Sequence, residues 1–368
     1  MANTQTNIEI DKGVNLSNIL SLEDFLLAAT PVGSHARGIA NNLYGLAHNS
    51  TRSPVPMNKD SYGLTFFTRP QLCFVDRNLR NDRMFYNLLT TNPYSVGRYV
   101  RCMLDPRMSV TSRVSCPFVD DRLGFIPILT NNITAISGWP DINMDTHTSK
   151  QGVRREAWSV ADAPIDVLDA FDINCTFRNT KDEPIIMLFY YWIRYMALVF
   201  DGTFSPYLDF ILENEIDYNT RIYRIVLDEH QRFVKKIAAT GASFPLNVPY
   251  ARFFDFNDTS PYNLQTKDID ITFKCNGATY NDPILIDEFN AVQGIFNGDM
   301  RINERGANID FSSRGMEKIP PELKDQFNYR GYPYINPDTL ELEWWLPRDH
   351  PRSRLIKNAY GGAGNGTN

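Results

Sequence analysis

Two nearly repeated words constrain this chain most. Asp172–Arg178 reads DINCTFR and Asp268–Lys274 reads DIDITFK, so both spell Asp-Ile-x-x-Thr-Phe followed by a basic residue. Around the first, Phe171, Ile173, Cys175 and Phe177 alternate with Asp172, Asn174, Thr176 and Arg178; in the second, Ile269, Ile271, Phe273 and Cys275 alternate with Asp268, Asp270, Thr272 and Lys274. Successive side chains of a strand point to opposite faces, so each word predicts a half-buried strand with one apolar and one polar face. Between them lies Pro184–Phe200 (PIIMLFYYWIRYMALVF), whose single charge is Arg194. A helix apolar almost all round must be buried on more than one side. The apolar run before Arg194 is far short of the roughly 20 residues a membrane span needs. Asp182 is placed to cap this helix, Pro184 suits its first turn and Gly202 stops it. A sheet with one packed helix is a complete two-layer unit. The expected fold is α+β, mainly β: an antiparallel sandwich or barrel with one packed apolar helix and extended N- and C-terminal additions.

Earlier in the chain, Ser21–Ala29 is a short helix candidate and Thr51–Asn58 a proline-marked linker. Tyr62–Phe67 and Gln71–Val75 read as strands, and RMFYNLLTT and SVGRYVRCML, within 82–104, as two short helical pieces. Asp105–Gln151 is irregular, and a loop of that length is uncommon unless it has a task such as reaching a partner. Glu156–Val160 and Ile165–Phe177 then enter the core. Tyr218–Leu227 and Phe233–Ala239 form a hairpin around Asp228–Gln231. Phe244–Gln265 is a linker, Asp282–Phe296 a helix, 297–350 a mixed region and YGGAGNGTN a flexible tail. The expected domains are an N-terminal extension over 1–155, a core over 156–296 and a C-terminal extension with a flexible arm over 297–368.

Little here signals catalysis. Cys73, Cys102, Cys116, Cys175 and Cys275 are an odd number without a CxxC pair, and they read as buried reduced thiols. His35, His48, His147, His230 and His350 have no metal-ligand spacing. Asp268 and Asp270 could form a carboxylate pair on one strand face, but that face also carries Thr272 and Lys274, so a solvated or lumen-facing surface is expected. The glycine-rich tail lacks the Lys-Ser/Thr of a phosphate loop, and no Gly-x-Ser-x-Gly elbow occurs. No cofactor or metal site is read, and the chain is expected not to be an enzyme. A net charge of −6 argues against a dedicated nucleic-acid binder. The N-terminus MANTQTNIEID predicts no secretory leader.

At Ala239–Lys274 the run TGASFPLNVPYARFFDFN…DIDITFKC resembles the closing part of the tail-tube fold of contractile-tailed bacteriophages and related secretion tubes. The matching positions are Gly241, Phe244, Pro245, Phe254, Asp255, Phe256 and the Ile269–Phe273 strand. The resemblance implies a tail-tube-like core in a virion protein of the phage tail, assembled in the host cytoplasm. Its partners would be further copies of itself in a ring, expected to be a homohexamer, and other tube, baseplate or neck proteins. DNA would meet it only in passage through the lumen, and no membrane is involved. Tube proteins of this family are typically shorter, which favours a larger member that starts the tube at the baseplate or a ring at its neck end. Candidate interface or lumen residues are Asp268, Asp270, Thr272, Lys274, Asp172, Asn174, Arg178, Trp192, Arg194, Phe244, Pro245 and Phe254. The alternative is a capsid or other β-sandwich virion protein, and after it an enzyme or carbohydrate-binding module.

Overall fold

The two repeated words are neighbours in one sheet. A computed structural model of the chain describes residues 63–162, 169–255, 258–259, 267–302, 311–323 and 331–350. The helix candidate at 21–29, the linker at 51–58 and the tail from 351 onward lie outside them. In chain order the elements are β1 (Gly63–Phe67), α1 (Asp76–Asn81), a 3-10 turn (Arg83–Leu89), α2 (Val96–Leu104), α3 (Pro106–Ser109), α4 (Pro127–Asn132) and β2 (Ile133–Ser137). There follow β3 (Thr146–Thr148), β4 (Ser159–Ala161), β5 (Ala170–Arg178), α5 (Pro184–Phe200), α6 (Leu208–Glu213), β6 (Ile222–Leu227) and β7 (Val234–Pro245). The last are β8 (Asp268–Tyr280), α7 (Ile284–Phe296), β9 (Met316–Lys318), β10 (Tyr332–Ile335) and β11 (Leu342–Pro347). The main sheet runs β1-β6-β7-β8-β5-β2, a smaller one β10-β11-β9, and β3 pairs with β4 alone. The α+β expectation, with an antiparallel sheet and a packed apolar helix, holds.

The described residues divide into two compact units, one holding those within 63–64, 225–236 and 335–343, the other those within 65–224, 237–334 and 344–350. In the first, Asp228 Oδ1 accepts the Arg232 and Phe233 N–H groups at 2.7 and 3.0 Å and fixes the hairpin turn. Arg232 then pairs with Glu341 at 2.9 Å.

The core of the second unit lies between β5/β8 and α5. Ile173, Cys175, Phe177, Ile269, Ile271 and Phe273 are buried on the sheet side. Phe189 of α5 meets Phe177 and Phe273, each at 5.7 Å between ring centroids. α5 spans the expected residues, but no side chain caps its start; Asp182 and Glu183 instead take left-handed φ values of 68° and 52°. Asp182 therefore enters as part of a tight turn and not as the expected cap. Gly202, at φ +72°, does end the helix region, donating to the Val199 carbonyl at 3.1 Å.

Gln71–Val75 is not the expected strand. Leu72 and Phe74 are buried, yet their N–H groups go to the Leu104 carbonyl at 3.0 Å and to Asp105 Oδ2 at 2.8 Å. Alternation was satisfied by a helix end, whose last carbonyls lack intrahelical partners. Arg69 extends the same solution. It donates to the Cys102 and Met103 carbonyls at the end of α2, at 2.8 and 3.2 Å, and to the Leu123 carbonyl at 3.1 Å. Arg101 and Arg98, also buried, donate to the carbonyls of Phe74 and of Thr90 and Arg113. Three guanidinium groups thus hold together a region that repetitive structure does not.

Asp217 is buried, with the Tyr195 hydroxyl donating to its carboxylate. Burial pushes its pKa up to about 6 from 3.8, against the Tyr195 hydrogen bond, which lowers it. The folded chain then holds this proton more tightly than the unfolded chain does. Stability from this group is present below about pH 4 and is lost as pH rises through about 6. Roughly two pKa units correspond to about 3 kcal/mol. Asp217→Asn, which keeps an acceptor for Tyr195, is expected to be more stable than wild type at pH 7 by up to about 3 kcal/mol, the two converging near pH 4. Urea melts of both chains between pH 4 and 8 measure the difference, and parallel curves would contradict it.

Candidate functional site

The polar faces of β5 and β8 form one ladder. The strands run antiparallel with Asp172 opposite Lys274, Asn174 opposite Thr272, Thr176 opposite Asp270 and Arg178 opposite Asp268. Lys274 Nζ lies 2.9 Å from Asp172 Oδ1. Thr272 Oγ1 donates to Asn174 Oδ1 at 2.9 Å, and Thr176 Oγ1 donates to Asp270 Oδ1 at 2.8 Å. Directly opposed pairs of this kind each contribute roughly 0.2–1 kcal/mol, so the ladder sets register more than stability. Slipping by one residue would turn Ile269, Ile271 and Phe273 outward. The alternation was legible in the sequence; the pairing of each residue with its counterpart in the other word was not.

Residues the sequence reading did not single out complete the ladder. Arg252, in the 3-10 turn Ala251–Phe253, places Nη1 3.6 Å from Asp270 Oδ2. Asn247 Oδ1 accepts the Thr272 N–H at 2.6 Å, and the Leu246 N–H reaches the Thr272 carbonyl at 2.8 Å. Asp172 and Asp270 therefore pair with Lys274 and Arg252, while Arg178 stands opposite Asp268 in register without an ion pair between them. A face whose three carboxylates match its three cations in number, with two of the cations already engaged, offers little to a phosphate, which is held mainly by unengaged Lys and Arg.

The other candidates lie elsewhere. Phe244 and Pro245 end β7 opposite Lys274 and Phe273, with Phe244 at 6.2 Å, edge-on, from Tyr218. Phe254 is 75% exposed beside Tyr250. Arg194 reaches Asp82 through Nε and Nη2 at 3.1 and 2.7 Å. Burial raises the Asp82 carboxyl pKa, but the Met84 N–H and Arg194 outweigh it, and the net shift is downward. Trp192 is fully buried, donating from Nε1 to the Tyr218 carbonyl at 3.0 Å, so its contacts lie inside the chain. Gly241 sits where β7 crosses β8 so closely that a Cβ would lie 2.2 Å from the Asn276 carbonyl oxygen. Gly138, at φ +105°, is crowded in the same way by the Asp172 carbonyl oxygen. Phe256 lies outside the described residues.

The ladder is an open surface. Among the described residues no group of three or more His, Cys, Asp or Glu could hold a metal ion, and no helix is long and apolar enough to cross a membrane. All five cysteines are buried and free, and burial pushes the Cys73 thiol up to about 11 and that of Cys102 to about 12.

Comparison with known proteins gives a family match over residues 5–360, to the family described as "Putative phage tail tube protein". No curated protein sequence matches the chain. Among solved structures, the tube-terminating cap of the anti-feeding prophage is similar at 18% identity and a TM-score of 0.27, covering 43% of this chain and 81% of that one. The sheath/tube terminator of an extracellular contractile injection system is similar at 12% identity and TM-score 0.25, over 43% of this chain and 87% of that one. A chain of the sheath-tube complex of such a system matches at 16% identity and TM-score 0.26, over 43% and 82%.

Proposed function

Since the chain belongs to this family of phage tail tube proteins, we propose that it is a ring-forming structural subunit of a contractile tail. Six copies would enclose the DNA channel, at the baseplate end, along the tube or at its neck. The ladder of β5 and β8 carries this reading: a polar strand face, its opposite charges equal in number and interleaved, backs an apolar core. Such a face can border a channel through which DNA passes without being held. β2, last in the strand order, leaves a sheet edge that a neighbouring copy could complete, as edges in natural sheets are paired or covered. Its surroundings would be the virion tail, reached after assembly in the host cytoplasm.

Electron microscopy of the purified full chain tests the proposal. Six-fold rings whose channel is lined by Asp172, Asp270 and Lys274 are expected; shells, or rings with the ladder on the outer surface, would refute it. Asp270→Lys supplies a second check. Its side chain is exposed and its lost partners are a threonine hydroxyl and a half-exposed arginine. Monomer stability should therefore change by no more than about 1 kcal/mol. Around one ring the change reverses six charges on the channel wall, and particles carrying it are expected to eject DNA more slowly than wild type. Unchanged ejection kinetics with normal assembly would remove the ladder from the channel.

A further inference from the structure

Two surfaces on this chain are unsatisfied in complementary ways. The first is the hairpin of β3 and β4. Thr146, His147 and Thr148 pair with Ala161, Val160 and Ser159, the Ser149 N–H continues the ladder to the Trp158 carbonyl at 2.8 Å, and the Gly152 N–H closes the tip on the Glu156 carbonyl at 2.9 Å. Every residue from Asp141 to Asp162 is exposed, among them Ile142, Met144, Trp158 and Val160. A two-stranded hairpin with nothing against either face is marginal in water at best. Its tip carries Lys150, Arg154 and Arg155 against Glu156 alone.

The second surface is α6 and the residues just after it. Leu208, Ile211, Leu212 and Ile216 are all at least half exposed. Glu213 and Glu215 stand among them with no ion pair among the described residues. The nearby cation, Arg107, is taken up by Asp209 through two bonds of 2.9 and 2.5 Å and lies over the Tyr207 and Phe210 rings.

We propose that the β3–β4 hairpin of one copy docks on the α6 surface of the next, its basic tip against Glu213 and Glu215 and its apolar side chains against Leu208, Ile211 and Leu212. The inference rests on the ring reading and deepens it. The hairpin is basic at its tip and the α6 surface acidic, so each complements the other and neither complements itself. A contact between two different patches of identical subunits is head-to-tail, and it closes into a ring when its rotation divides the circle evenly. Apolar exposure supplies affinity at the centre of such a contact, and the paired charges fix partner and register.

Charge reversal with rescue tests it on the full chain. Every residue changed is exposed, so folding is expected to survive, which circular dichroism verifies. Lys150→Glu with Arg154→Glu and Arg155→Glu should weaken self-association at least tenfold in sedimentation, as should Glu213→Lys with Glu215→Lys. A chain carrying all five changes should recover assembly. Introduced thiols report the geometry, because the natural cysteines are buried. A mixture of Val153→Cys and Leu212→Cys chains should give a disulfide-linked dimer that neither forms alone. Assembly that ignores both reversals, a five-fold variant that stays dissociated, or cross-linking within a single variant would overturn the contact and leave the ring reading standing. Wild-type chains that form no higher oligomer at any concentration would overturn the ring reading, and the contact with it. Capture of the α6 surface by a different tail protein, in rings insensitive to the hairpin changes, would assign that surface to another partner.

Discussion

Replacing Arg69 by alanine is expected to cost about 3–5 kcal/mol of stability, as much as losing a large core side chain. Arg69 is 4% exposed, and its guanidinium is held by main-chain carbonyls: those of Cys102 and Met103 at the end of α2, and those of Leu123 and Asp120 on the following loop. Burial lowers its pKa, and the nearby Asp121 and Asp120 work against that shift. Without the side chain the helix-end carbonyls stay buried with no donor, at about 1–3 kcal/mol for each unsatisfied group. Part of the loss is returned, because the arginine no longer has to be desolvated. The α2 end would also lose a cation where the helix dipole favours one. Arg69→Met separates the two roles of the side chain, since it keeps an apolar stem but loses both the hydrogen bonds and the guanidinium that lies over the Phe296 ring. It should fall nearly as far as alanine. Arg69→Lys should lie between, because one ammonium cannot span carbonyls on two segments. Urea unfolding of the three variants, with m-values compared to confirm a common mechanism, gives the ranking. Stability within about 0.5 kcal/mol of wild type for Arg69→Met would show that the carbonyls find other donors.

Arg69 also marks where sequence reading stops. The repeated words at Asp172 and Asp268, the helix between them and the helix ending at Phe296 were legible because their burial is periodic. Alternation assigns faces, and a long apolar run between a proline and a glycine assigns a helix. The two short helical pieces expected within 82–104 are present, as the 3-10 turn Arg83–Leu89 and α2. Periodicity placed Arg98 and Arg101 on a helix without saying what their guanidinium groups reach, and nothing periodic surrounds Arg69. Apart from the Asp76 carboxylate that Arg101 also reaches, the partners of these arginines are carbonyls, which every residue type carries, so these contacts have no signature in side-chain identity. Leu72 and Phe74 show the same limit from the other side. Their alternation was genuine and their burial followed, but the backbone partner was the end of α2 and not a strand. At the candidate site the polar residues were visible as one face of each strand. Arg252 and Asn247 were not, because a loop residue reaches a strand through tertiary structure alone. Glu156–Val160 was expected as a strand entering the core and Asp105–Gln151 as irregular. Instead 156–160 is exposed, with Ser159 and Val160 in β4 of a hairpin, and α3, α4, β2 and β3 lie within 105–151. Elements of three to six residues are too short to establish a period.

Trp192→Ala is expected to remove about 3–5 kcal/mol, and the way that loss depends on protein concentration decides where this residue acts. The indole lies parallel to the Phe189 ring, 6.1 Å between centroids and 7° between planes, and Phe189 in turn rests on Phe177 and Phe273 of the repeated strands. Truncation would leave a cavity at the centre of the α5–sheet contact and strip the Tyr218 carbonyl of its indole donor. Trp192→Phe, which refills most of the space but cannot donate, should cost about 1–2 kcal/mol from the lost hydrogen bond and the poorer fit. A side chain that stabilised the protein through a neighbouring copy would lose its effect on dilution, because association stabilises by mass action. A side chain packed inside one chain loses the same free energy at every concentration. Equal differences between Trp192→Ala and wild type in melts at widely separated concentrations are therefore expected, and a difference that vanishes in the dilute sample would place Trp192 at a subunit boundary after all.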